Sequence, residues 1–103
     1  LALRKAGLAG GGGDGGRPRV RLVGFDASQK LTEALGSGDI DALVVQDPFR
    51  IGELAVSTMA QVLRGATVAK RIDTGATLVT KSNLQDPAVQ TLLHPDLKKW
   101  LGE

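Results

Sequence analysis

The sequence has no cysteine, so disulfides and thiolate metal sites are impossible. Its single histidine, His94, removes most catalytic triads and histidine-rich metal centres as well. Phe25, Phe49 and Trp100 are its only aromatic residues, which leaves no row of rings on which nucleic-acid bases stack. Nor is one charge in excess: thirteen Lys and Arg are interspersed with eleven Asp and Glu, for a net charge of +2. No nucleic acid is therefore expected as a partner. No run approaches the roughly 18 apolar residues that a membrane-spanning helix needs. The start, LALRKAGL, lacks the apolar core and cleavage site of a secretory signal and carries no initiating Met, so the chain is expected to begin inside a longer parent protein.

What is present is ordinary for one small α/β unit. Hydrophobic residues make up 42% and charged residues 23% of 103 positions, too few positions for a second full domain. Residues 1–8 read as the last turns of a helix. Six glycines and Asp14 follow within Gly10 to Gly16. A phosphate-cradling loop would need Lys and Ser or Thr ahead of a helix, whereas here Arg17 and Pro18 lead into a strand pattern. The glycine run is accordingly read as a flexible surface loop.

Arg19 to Phe25 is rich in β-branched and apolar residues and predicts a buried strand. Asp26 stands at its carboxyl end. Ser28 is placed to cap a helix with Leu31, Ala34 and Leu35 on one face, stopped by Gly36 and Gly38. Ala42 to Val45 is continuously apolar, as in a strand covered on both faces, and Gln46 ends it. Asp47-Pro48 is a strong helix start, and the periodicity carries the helix to about Leu63, with Gly65 as terminator. Ile51, Leu54, Ala55, Met59, Val62 and Leu63 fall on one side and predict a core-facing stripe. Val68 to Ile72 is weakly strand-like, and Thr77 to Lys81 more clearly so. Asp86-Pro87 repeats the capping signal before a short helix with Val89, Leu92 and Leu93. His94-Pro95 then breaks the chain ahead of a Leu97, Trp100, Leu101 cluster, and His94, with no second histidine to share a metal, reads as a loop residue.

Helices alternating with strands predict a parallel sheet with right-handed crossovers, whose ligands bind beyond the carboxyl ends of the strands. Asp26 and Gln46 hold those ends. The pattern alone leaves open whether the two side chains meet a ligand, or whether Asp26 merely caps the following helix and Gln46 merely ends a strand.

Three segments carry a family resemblance: VGFDAS at 23–28, GDIDALVVQDPFRIG at 38–52 and RIDTGATLVTKSNL at 71–84. They resemble the carboxyl-terminal portion of the sugar-binding proteins of bacterial ABC transporters, the type I periplasmic binding proteins that include the ribose binders. The likeness covers nearly the whole chain except the glycine loop, which looks like an insertion. It implies a partial parallel-sheet fragment with flavodoxin-like lobes. Residues 1–46 would belong to the carboxyl-terminal lobe, 47–75 would pack on the amino-terminal lobe, and 76–103 would return to the carboxyl-terminal lobe and tail. Gln46, Asp47, Gly75 and Ala76 would then be hinge residues, and Asp26 and Gln46 would contact the sugar. Aromatic platforms and arginines that complete such a site would lie outside this sequence.

The implied function is the sugar-binding component of an ABC transporter, lacking most of the amino-terminal lobe, periplasmic or otherwise extracytoplasmic. Its partners would be a sugar or polyol, a transporter permease, and either the missing amino-terminal part or further copies of the chain. The alternative is the ligand-sensing core of a lactose-repressor-type transcription regulator, which shares the fold. An enzyme is not expected. The hydroxyls of Ser28, Thr32, Ser37, Ser57 and Thr58 have only a remote histidine as base. No cofactor or metal is implied.

Overall fold

A computed structural model describes residues 2–9 and 20–102, apart from the side chain of Trp100. The elements, in chain order, are α1 (Ala2–Lys5), β1 (Val23–Phe25), α2 (Gln29–Ser37), β2 (Ala42–Val45), α3 (Pro48–Leu63), β3 (Thr77–Thr80), α4 (Pro87–Leu93) and α5 (Leu97–Leu101). The glycine loop, and Arg19 of the first expected strand, lie outside the described residues. By backbone contacts the chain divides into two compact units, one of residues 1–45 with 78–103 and one of residues 46–77.

The first unit is built around a sheet of order β1-β2-β3, in which β1 and β2 run parallel with Val23, Gly24 and Phe25 opposite Ala42, Leu43 and Val44. The central position of β2 explains its unbroken apolar run: Ala42, Leu43 and Val45 are all buried. Leu43 and Val45 share one face of the strand and join Leu35 of α2, Val79 of β3, Val89 of α4, Ile40 and Leu84 in the core. Ser28 caps α2 as its sequence position implies, its Oγ accepting the Leu31 N–H at 3.3 Å. The helix runs through Gly36 and stops only at Gly38.

The first strand is shorter and barer than its composition suggests. Regular pairing begins at Val23, because the Asp41 side chain takes the place of a ladder partner: its Oδ2 accepts the Leu22 N–H at 2.9 Å while the Asp41 N–H donates to the Leu22 carbonyl at 2.8 Å. Arg21 adds a 3.5 Å ion pair to the same carboxylate. The expectation of a buried strand also fails. As an edge strand with one face turned from the core, β1 leaves Val23 57% and Phe25 62% exposed. Gly24 faces inward instead and lets Leu43 close the sheet against α2. A Cβ built on Gly24 would stand 2.7 Å from Leu43 Cδ2.

Past β3 the chain turns on Asn83, a role its composition did not announce. The Asn83 Oδ1 accepts the Thr80 N–H at 2.7 Å and its Nδ2 donates to the Leu78 carbonyl at 3.0 Å, so one side chain satisfies two strand groups. Asp86 begins α4 by position but makes no side-chain cap. Asp96 caps α5 instead, accepting the Lys99 N–H at 3.3 Å.

The second unit consists of α3 and the irregular segment after it. Asp47 Oδ1 accepts the Arg50 N–H at 3.0 Å and Pro48 occupies the first turn, which fixes the start. Gly65, at φ 81°, adopts the left-handed conformation that ends the helix. The stripe expected to be core is not buried: none of the α3 residues is, and Met59 and Leu63 are 58% and 80% exposed. Val68 to Ile72 forms no strand. Ile72 and Thr74 join Ile51, Leu54, Met59 and Val62 around an open apolar groove of about 370 Å³.

Candidate functional site

The carboxyl end of β1 carries the most distinctive residue of the chain. Asp26 continues the parallel pairing by one bond, its N–H donating to the Val44 carbonyl at 2.7 Å. Its backbone then turns to φ 61°, and it is the only described residue other than glycine with a positive φ. L-residues avoid this region because Cβ crowds the carbonyl oxygen, and aspartate is among the few that tolerate it. The turn ends the strand and separates Asp26 from the helix that follows.

The helix-capping alternative does not hold: Ser28 Oγ accepts the Leu31 N–H, and no N–H of α2 donates to Asp26. Asp26 is exposed, and its carboxylate makes no hydrogen bond or ion pair among the described residues. Asp39 and Asp41, by contrast, are committed to the fold: Asp39 holds Arg4 at 2.8 Å and the Ser37 hydroxyl at 3.0 Å, and Asp41 holds the start of β1. A carboxylate offers about four lone-pair directions, enough to accept from two neighbouring hydroxyls at once. Bonds to a charged acceptor are roughly twice as strong as neutral ones.

Gln46 follows β2 directly and begins the second unit. It is half-buried, and its side-chain amide makes no hydrogen bond among the described residues. An amide both donates and accepts, which suits a hydroxyl that does the same. Asp26 and Gln46 fall in different compact units, so the structure describes each in its own surroundings. The unit boundaries lie between Val45 and Gln46 and between Thr77 and Leu78. Just before the second boundary, Asp73 Oδ1 accepts the Gly75 N–H at 2.8 Å, and Gly75 has φ 73°. The groove along α3 was legible only in part, since periodicity finds the helical stripe but has no signal for Ile72 and Thr74 joining it. No group of three or more metal-ligating side chains occurs among the described residues.

No protein-family model matches the chain. Individual proteins do. Over 54 residues, 52% of the chain, it is 37% identical to the ribose import binding protein of Haemophilus influenzae, of which that stretch is 18%. Among solved structures, a carbohydrate transporter solute-binding protein from Agrobacterium radiobacter in complex with D-arabinose is 43% identical, with a TM-score of 0.66 over 74% of this chain and 26% of that one. An ABC transporter solute-binding protein from Agrobacterium vitis bound to α-D-tagatopyranose is 32% identical, with a TM-score of 0.74 over 91% of this chain and 29% of that one. Over these stretches the chain is similar to part of the sugar solute-binding proteins of ABC transporters, and its α/β fold matches part of the type I periplasmic binding fold. It spans less than a third of the length of each of these relatives.

Proposed function

We propose that this chain is a portion of the sugar-binding component of a bacterial ABC transporter, working outside the cytoplasm, with no catalytic step of its own. The observation that carries the reading is Asp26: an exposed carboxylate at the carboxyl end of a parallel strand, in a conformation most L-residues avoid, with no hydrogen-bond or ion-pair partner among the described residues. Unfavourable backbone geometry that the surroundings enforce is characteristic of ligand sites. In this reading Asp26 accepts hydrogen bonds from adjacent hydroxyls of a sugar or polyol and Gln46 exchanges bonds with another.

The same reading assigns residues 1–46 and 76–103 to one lobe of the parent protein and 47–75 to a segment packed on the other. It is supported by the separate compactness of residues 46–77 and by the unburied face of α3, which needs cover from elsewhere. Gln46, Asp47, Gly75 and Ala76 then form the crossings about which the lobes close on the sugar, and a membrane permease reads the closed form. The aromatic and basic groups that complete recognition lie outside these 103 residues, so the isolated chain binds sugar poorly.

Titration calorimetry tests the proposal, with aldopentoses, ketohexoses and deoxyhexoses added to the full parent protein and to its Asp26→Ala and Gln46→Ala variants. Losing one bond to a charged group costs about 1.5–3 kcal/mol, so Asp26→Ala weakens binding at least about tenfold. Gln46→Ala has a smaller effect because its bonds are neutral. Unchanged affinity in Asp26→Ala would remove this carboxylate from the site.

A further inference from the structure

We draw no further inference here: the strongest candidate, the open apolar groove that Ile72 and Thr74 form with the exposed face of α3 within residues 46–77, is an unpartnered face, and nothing in the structure shows what covers it.

Discussion

Adding one methyl group at Gly24 tests the packing between β1 and β2. The Cβ of an alanine there would stand 2.7 Å from Leu43 Cδ2, about 1 Å inside the usual separation of two carbon atoms. Leu43 is fully buried among Leu35, Val45 and Val79, so its side chain has no open space to swing into, and the added Cβ itself has Leu31 Cδ2 at 3.9 Å beside it. The strain must be taken up by an off-rotamer Leu43 or by displacement of β1, and overpacking of this kind costs about 1–3 kcal/mol. Gly24→Ala is therefore expected to lower the urea midpoint of the first unit by about 1 M, for a urea dependence of about 1–3 kcal/mol per M. A double-mutant cycle isolates the cause. Leu43→Val alone loses buried methylene volume and costs roughly 1 kcal/mol, but it also removes the δ-carbon that an alanine at position 24 would strike. The double variant should then be more stable than the sum of the two single losses predicts, by about 0.5–2 kcal/mol. Additive losses, or an unchanged midpoint in Gly24→Ala, would refute the argument that this glycine exists to admit Leu43.

Other consequences follow from single side chains. Ser28→Ala should cost about 1 kcal/mol by uncapping α2, read from the same denaturation curves, whereas Asp26→Ala should leave that cap untouched. Asp26→Gly should hold or raise the unfolding midpoint, because glycine is at ease at φ 61°, while abolishing the tighter part of sugar binding in the parent protein; a large loss of stability would contradict the backbone argument. Asn83→Ala leaves the Thr80 N–H and the Leu78 carbonyl without their partner and should destabilise by about 1–3 kcal/mol, with faster amide hydrogen exchange at Thr80. With Met59, Val62 and Leu63 exposed along α3, the isolated 103-residue chain should self-associate in light scattering, and Met59→Lys with Leu63→Lys should reduce this; a clean wild-type monomer at high concentration would overturn the expectation.

Local chemistry was enough to place most elements. Asp47-Pro48 and Gly65 bracket α3 because capping and left-handed termination act within a few residues of the chain. Ser28 starts α2 for the same reason, and the unbroken run from Ala42 to Val45 marked a strand covered on both faces, since such strands are commonly apolar throughout. Asp26 and Gln46 could be singled out from their place after two strands, and the short motifs around them resemble those of the sugar binders. What the sequence could not settle depends on which distant groups meet. Whether Asp26 caps the helix was decided by Ser28 holding the cap position and by a backbone turn that no residue pattern announces. The length of β1 was decided by Asp41, nineteen residues from Leu22, and the turn after β3 by the reach of one amide from Asn83. The apolar stripe of α3 shows the limit most clearly. Periodicity establishes that a face is built to be covered, but burial is a property of what lies opposite, and residues 46–77 contain too little to cover it.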